Sequence, residues 1–180
     1  MKTKISARYK VYLFTSPFFT EAKIHSWKNI LKFDYPQKVR FECEKCALCC
    51  GDTKDRVRRI LLLRVEAKSI SQKTHKRVND FAESLDGSEL YIYVMKKAEN
   101  GKCVFLKGDL CTIYQTRPLI CRFYPFELRA DENCKHVFAY TDECPAIGRG
   151  PYLEKDYFER LFRASMKTMR ENEENIHVQG

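Results

Sequence analysis

Short apolar stretches separated by turn signals run through the middle of the chain. KVRFEC (38–43), ILLL (60–63), LYIYVM (90–95) and HVFAYT (136–141) have the alternation or the short apolar run of β-strands. The turn signals Asn100-Gly101 and Gly108-Asp109 lie on either side of KCVFL, which is a further strand candidate. This pattern predicts several short antiparallel strands.

Helical spacing of apolar residues appears between these stretches. Residues 65–70 and 78–85 are spaced for two helices, and the second is expected to end at Gly87. Residues 111–126 predict a short helical turn that is broken at Pro118. The middle of the chain therefore mixes short helices with short strands.

A long helix is predicted at the C-terminal end. Gly150-Pro151 is expected to open it, because proline fits the first helical position. One face of this helix carries Phe158, Leu161, Phe162, Ser165 and Met169. Its acidic end, residues 171–174, is expected to fray.

Length and composition predict one folded domain with appendages. The chain has 180 residues, of which 44% are hydrophobic, so it has enough apolar residues for a core. The apolar patch 11–14 is too short for a signal peptide, and no run approaches a membrane span. Nine cysteines are too dilute for a small secreted disulfide scaffold. We therefore expect a cytoplasmic protein, in which clustered cysteines more often bind metal than form disulfides.

The formal net charge of +9 bears on possible partners. Basic residues are scattered, and the simplest interpretation is a solvated surface. The charge also permits binding to nucleic acid, although no motif supports it, or to an acidic protein. We expect a protein partner of acidic character and no membrane association.

The segment CEKCALCC (43–50) places four cysteines in eight positions. Thiolates are soft ligands that suit zinc and iron–sulfur clusters. A Cys-x-x-Cys pair is typical of zinc sites, whereas the triple spacing of Cys43, Cys46 and Cys49 resembles that of bacterial ferredoxins. Adjacent side chains diverge, so Cys50 is expected to serve a different metal centre from Cys49.

Five further cysteines lie downstream, and turns or prolines accompany most of them. They are Cys103, Cys111, Cys121, Cys134 and Cys144. Eight ligands are the number needed for two tetrahedral four-cysteine sites. Cys134 lies in the most polar setting, ADENCKH, and is expected to be the spare one; a ligand pair with His136 is the alternative. Residues 53–100 are then expected to form a helical arm outside the metal core.

Two other interpretations of the cysteines agree less well with the sequence than metal binding does. Isolated apolar fillers do not explain four cysteines in eight positions. A thioredoxin-like redox pair would need a βαβ context, which the pattern lacks. Metal binding is therefore favoured.

Three motifs together resemble a known family. They are CEKCALCC, then GKCVFLKGDLCTIYQTRPLICRFYPF, then ECPAIG, within about residues 40–150. They are similar to the cysteine-cluster family of zinc- or iron-chelating domains of the CxxCxxCC type. Carried over residue by residue, the resemblance implies these metal ligands: Cys43, Cys46, Cys49, Cys50, Cys103, Cys111, Cys121 and Cys144. One departure is small, because Ala146-Ile147 separate the final Cys-Pro from Gly148, where family members often have glycine directly. The resemblance implies a metal and no reaction, although some flagellin lysine methylases look similar over the cysteine module.

Residues between the ligands are candidates for contacts with the cofactor. Tyr114 would exclude water, and Arg117 and Arg122 would donate hydrogen bonds to thiolates or neutralise cluster charge. The alternative is that the aromatic residues are core and the arginines pair with surface carboxylates. No glycine-rich nucleotide loop, Ser-His-Asp order or paired catalytic carboxylates appear, so whether the chain is an enzyme stays open.

Together these observations predict an α+β fold: a small, irregular, metal-stabilised domain with short antiparallel strands and a C-terminal helix. The expected parts are an N-terminal extension (1–37), a cysteine-cluster domain (38–150) and a helix packed on it (151–180). The leading function is an iron–sulfur protein, of the 4Fe-4S type, in electron transfer or as an accessory to a redox or methylation system. The alternatives are a zinc-stabilised module that binds protein or nucleic acid, and a methylase-related enzyme domain.

Overall fold

The computed structural model describes residues 33–86, 90–130 and 136–177. These residues form short, mostly antiparallel strands and four α-helices, the last of them C-terminal, which confirms the α+β class. The expected N-terminal extension up to residue 32 lies outside the described residues, as does Cys134.

The chain divides into two compact units. Unit 1 consists of Met1–Glu42 and Phe123–Phe162, and unit 2 of Cys43–Arg122 and Arg163–Gly180. Each unit therefore combines segments that are distant in the sequence.

The sheet of unit 1 has three strands. β8 (Phe126–Ala130) and β9 (His136–Tyr140) pair antiparallel, and β1 (Phe33–Asp34) runs parallel to β9 on its other side. The strand predicted from HVFAYT is confirmed. Two residues of the expected N-terminal extension thus belong to the sheet.

The core of unit 1 is aromatic. Phe123 stacks on Phe138 with ring centroids 5.9 Å apart, and Phe138 meets Phe158 at 5.1 Å. Phe33 stacks on Phe162 at 5.2 Å. Such pairs contribute about 0.5–1.5 kcal/mol each beyond the burial of apolar area, so this core needs no metal to account for its cohesion.

A two-stranded ribbon corrects the predicted start of the last helix. β2 (Arg40–Phe41) pairs with β10 (Ile147–Tyr152), so Pro151 lies in a strand, and α4 (Lys155–His177) begins four residues later. Gly150 has φ 71°, and a Cβ there would come within 2.4 Å of a neighbouring side chain. The glycine therefore serves a close backbone approach in the ribbon, and the prediction that Gly150-Pro151 opens the helix is wrong.

The apolar face predicted for α4 is confirmed at most positions. Its buried residues are Phe158, Phe162, Ser165, Met169 and Asn172. Leu161 is half-buried, and the acidic end expected to fray stays helical to His177. None of the helices in the described ranges has the length and hydropathy needed to cross a membrane.

Unit 2 contains a second three-stranded sheet. β3 (Leu61–Leu62) and β4 (Ala82–Ser84) pair antiparallel with β5 (Tyr93–Met95), which lies between them. α1 (Arg64–Thr74) follows β3 directly. Strands in ILLL and LYIYVM and a helix after residue 63 are thus confirmed.

The second predicted helix is much shorter than expected. α2 contains only Val78–Phe81. Ala82 is already the first residue of β4, where it lies opposite Met95 of β5. The apolar spacing of residues 78–85 suits a helix, but pairing with β5 satisfies the backbone of β4 and buries Ala82 as well. The helix prediction is therefore wrong beyond Phe81.

The downstream cysteines of unit 2 lie on short elements. β6 (Leu106–Lys107) and β7 (Leu110–Cys111) form a hairpin, and a 3₁₀ turn at Tyr114–Thr116 follows it. α3 (Leu119–Phe123) comes after Pro118, so the predicted helical turn near that proline is confirmed.

The described residues between 53 and 100 contribute to the same core as the cysteines and do not form an arm outside it. One buried cluster contains Ile60, Leu62, Ile70, Phe81, Ala82, Met95, Cys103, Phe105 and Ile113. Cys111 and Cys121 pack against this cluster. The expectation of a separate arm is wrong, because the apolar side chains of its helix and strands bury against the cysteine-bearing segments.

Candidate metal centre

The first cysteine segment is tightly wound before it reaches Cys49. Lys45 and Ala47 have positive φ angles of 54° and 56°. A 3₁₀ turn at Leu48–Cys50 follows, and its last N–H donates to the Ala47 carbonyl at 3.0 Å. Positive φ is uncommon outside glycine, so the backbone of this loop adopts an unusual conformation at two positions. Cys43 and Cys46, at its beginning, are exposed.

The adjacent cysteines at the end of this segment point to the same place. The sulfur atoms of Cys49 and Cys50 lie 4.0 Å apart. Two thiolates that share one tetrahedral metal atom, with bonds of about 2.3 Å, lie about 3.8 Å apart. The separation is compatible with a shared metal atom, and the expectation that the two cysteines serve different centres stays a prediction.

A close backbone contact joins this segment to Cys103. The Cys103 N–H donates to the Cys50 carbonyl at 2.7 Å, and Gly51 forms an antiparallel bridge with Lys102. A Cβ at Gly51 would lie 2.6 Å from the Gly101 oxygen. Only glycine allows the two segments to approach this closely, so Gly51 is part of the architecture of the centre.

Cys111 and Cys121 pack against the apolar cluster that contains Cys103. Cys111 lies opposite Leu106 in the β6–β7 hairpin, and Cys121 lies in α3, where its N–H donates to the Pro118 carbonyl at 2.9 Å. Both cysteines are half-buried. A hairpin and a helix thus present two further sulfur atoms to the core.

Five cysteines come together in this part of unit 2, and we call them the five-thiol cluster. The Cys49 and Cys50 sulfurs are neighbours, the Cys103 N–H reaches the Cys50 carbonyl, and Cys111 and Cys121 pack against the apolar cluster that contains Cys103. The members of the five-thiol cluster are Cys49, Cys50, Cys103, Cys111 and Cys121. The hydrogen bond between the first two raises the pKa of Cys49 and lowers that of Cys50.

Cys121 and Cys103 resist deprotonation. Burial raises the pKa of Cys121 well above its usual value, and nearby Cys103, Cys49 and Cys111 raise it further. Burial also raises the pKa of Cys103, with a further contribution from Cys111. Neighbouring thiolates repel one another, so the protonated thiols are favoured. A bound cation would instead favour the deprotonated thiolates.

The remaining expected ligands are placed differently. Cys144 is buried in unit 1, where its carbonyl accepts the Ile147 N–H at 3.1 Å, whereas Cys43 and Cys46 are exposed residues of unit 2. Within the described residues, no group of three or more histidine, cysteine or carboxylate side chains has the arrangement of a metal site. The five-thiol cluster is defined by the contact between Cys50 and Cys103, by the apolar cluster that Cys103, Cys111 and Cys121 share, and by thiol donors of the kind that soft metals prefer.

The three residues expected to contact a cofactor lie together in unit 2. The Arg117 guanidinium lies over the Tyr114 ring, 3.9 Å from its centroid. Arg122 donates from Nε to the Arg117 carbonyl at 2.7 Å. These contacts brace the turn that leads into α3 and its cysteine.

Two charged residues near the five-thiol cluster escaped the sequence analysis. Arg58 opposes the rise in the pKa of Cys49, and its backbone N–H donates to Asp52 at 2.7 Å. The Asp52 carboxylate also forms an ion pair with the Lys97 ammonium at 2.7 Å. Glu66 is a buried carboxylate that influences Cys121. Neither residue has a motif around it, and Glu66 resembles an ordinary acid in the first turn of a helix.

Comparison with known proteins agrees with the cysteine pattern. A family model described as "CxxCxxCC: Putative zinc- or iron-chelating domain" matches residues 42–145, which is more than half of the chain. One similar protein is the uncharacterized protein MJ0661 of Methanocaldococcus jannaschii, 29% identical over 140 residues that cover 71% of this chain and 70% of that protein. No solved structure matches the chain.

Proposed function

This chain belongs to the CxxCxxCC family of zinc- or iron-chelating domains, and we propose that it holds its metal through the five-thiol cluster as an iron–sulfur protein. In this proposal the centre serves electron transfer or an accessory role in a redox or methylation system. The bound group would supply one-electron chemistry, while the chain holds the thiolates, excludes water and shields charge.

The convergence of five cysteine sulfurs in unit 2 carries the proposal. Cys49 and Cys50 come from one turn, and the other three come from segments more than fifty positions downstream. Five thiols exceed the four that one tetrahedral ion takes, which favours a centre with more than one metal atom. A bound cation would also offset the repulsion between neighbouring thiolates.

The proposed ligand set also includes Cys43, Cys46 and Cys144. The family match begins one residue before Cys43 and ends one residue after Cys144, so all eight expected ligands lie inside it. Cys43 and Cys46 would bring the proposed ligands of unit 2 to seven, whereas Cys144 belongs to unit 1 and is a ligand that the family pattern implies.

The 4.0 Å separation of the Cys49 and Cys50 sulfurs also favours a second candidate, a zinc-stabilised interaction module. The separation suits two thiolates on one zinc ion, or on one iron of a two-iron cluster. It suits less well two corners of a four-iron cubane, where each thiolate binds its own iron atom. The formal net charge of +9 would then favour an anionic partner, either an acidic protein or a nucleic acid, and a cytoplasmic location stays a prediction.

Metal analysis of anaerobically purified protein tests the proposal. We expect a brown protein with iron and acid-labile sulfide in near-equal amounts. A colourless protein with stoichiometric zinc and no sulfide would establish the second candidate. A protein with neither metal would overturn both.

Two cysteine substitutions give a matched test of the ligand set. Cys121→Ser removes a member of the five-thiol cluster and is expected to lose most bound metal and much of the soluble yield, because metal binding contributes folding free energy. Cys134→Ser changes the cysteine left outside the family pattern and should retain its metal. Equal metal loss in the two variants would contradict the choice of Cys134 as the spare cysteine.

A further inference from the structure

A buried carboxylate connects two helices of unit 2. The Glu66 side chain lies in the first turn of α1 and is only 8% exposed. Its Oε2 accepts the backbone N–H of Leu63 at 2.9 Å, and its Oε1 accepts the backbone N–H of Leu119 at 2.6 Å. Both carboxylate oxygens are thus engaged by backbone donors.

The two donors belong to the starts of two different helices. Leu63 is the residue that precedes α1, and Leu119 is the first residue of α3. N–H groups at the start of a helix have no partner within the helix, and a carboxylate is a favourable acceptor for them. One side chain therefore satisfies the beginnings of both helices.

The second of these helices carries a member of the five-thiol cluster. Cys121 lies two residues after Leu119, and α3 has only five residues. A helix this short has little stability of its own, so its position depends on contacts outside it. The bond from Leu119 to Glu66 spans 53 positions and is a buried anchor for this segment.

We propose that Glu66 is a positioning residue of the metal centre, which holds the start of α3 so that the Cys121 sulfur lies within the five-thiol cluster. This inference rests on the proposed function, because it assigns Glu66 a role in that centre. It also gives α1 a role in metal binding that its distance from the cysteine motifs does not suggest.

Asn172 provides a control for the possibility that Glu66 only caps α1. The Asn172 Oδ1 accepts the Val65 N–H at 3.2 Å, so Asn172 also caps the start of α1. Asn172 is likewise buried, at 1% exposure. If Glu66 served only to cap α1, its loss would resemble the loss of Asn172.

The experiment compares Glu66→Ala, Glu66→Gln and Asn172→Ala in the full chain, purified anaerobically with its native metal. Each protein is treated with a chelator and iodoacetamide, and mass spectrometry follows metal release and the alkylation of each cysteine. We expect Cys121 in Glu66→Ala to be alkylated about tenfold faster than in the wild type, relative to Cys111. Glu66→Gln keeps one acceptor oxygen, so its ratio of Cys121 to Cys111 alkylation should lie between those of the wild type and Glu66→Ala. Asn172→Ala should keep the wild-type ratio.

The outcomes separate the inference from the proposed function. Wild-type protein purified without metal would overturn the proposed function and the inference with it. Metal-loaded wild type combined with equal Cys121 alkylation in Glu66→Ala and Asn172→Ala would overturn the inference alone. A uniform rise at every cysteine in Glu66→Ala would do the same, because it indicates general unfolding.

Discussion

At the scale of single residues, small side chains and backbone contacts bring the cysteines together. Gly51 allows the chain after Cys50 to lie against Lys102, so that the Cys103 N–H reaches the Cys50 carbonyl at 2.7 Å. The φ of Gly51 is 169°, an extended value that any residue adopts. The glycine is therefore required for space and not for its backbone conformation.

Gly51→Ala is predicted to destabilise unit 2 and reduce its metal content. The new Cβ would lie 2.6 Å from the Gly101 oxygen and from the Lys102 Cα, and both of these are backbone atoms. Overpacking against a backbone costs about 1–3 kcal/mol of unfolding free energy. Urea denaturation and metal analysis measure the two effects.

Gly108→Ala is the control for this substitution. Gly108 has φ +57° and nothing within 4 Å of an added Cβ, so its substitution should cost only about 1 kcal/mol of backbone strain. Its metal content should stay at the wild-type level. Equal metal loss in both glycine variants would contradict the steric explanation.

At the scale of elements, tertiary pairing decides where helices end. Residues 78–85 carry helical spacing, yet α2 stops at Phe81 and β4 begins at Ala82. The Lys96 N–H donates to the Phe81 carbonyl at 2.8 Å, and the Leu85 N–H donates to the Ile92 carbonyl at 2.9 Å. Pairing with β5 thus supplies hydrogen bonds that a longer helix would otherwise have made internally.

Glu83→Thr tests this boundary. Glu83 is exposed on β4 opposite Val94, and β-branched residues favour strands. We therefore expect an unfolding free energy that is unchanged or higher by up to about 1 kcal/mol. Lys73→Thr, on the exposed face of α1, should instead lower it by about 0.5 kcal/mol. Destabilisation of similar size in both variants, measured by urea denaturation, would indicate a helix at residue 83.

At the scale of the whole molecule, the two units differ in what stabilises them. Unit 1 has a core of aromatic rings, with Phe123, Phe138 and Phe158 in successive contact. In unit 2, three cysteines lie in or against the apolar cluster. Metal should therefore matter more to unit 2, since binding free energy contributes to the folding of a site built around it.

Removal of the metal is predicted to affect the units unequally. After anaerobic chelation, amide hydrogen exchange should accelerate at residues 47–51 and 101–122. The β8–β9 pairs of unit 1, such as Leu128 opposite Phe138, should keep their protection. Loss of protection in both units to the same extent would contradict this division, and no loss in either would contradict a structural role for the metal.

The sequence by itself determined the class of the site and most of the elements. Clustered cysteines at Cys-x-x-Cys spacing indicate a thiolate metal site whatever the fold, because ligand chemistry depends on residue type and local spacing. Short apolar runs such as ILLL and HVFAYT predicted strands for the same local reason, and they are confirmed.

Only the tertiary structure decided which cysteines meet and what positions them. The sulfurs of Cys49 and Cys50 lie 4.0 Å apart, a separation that the spacing of two adjacent cysteines does not determine. The bond from Leu119 to Glu66 joins residues 53 positions apart, and no local pattern encodes it. Contacts of this kind depend on how all segments share one core, so the free energy that selects them exists only in the folded chain.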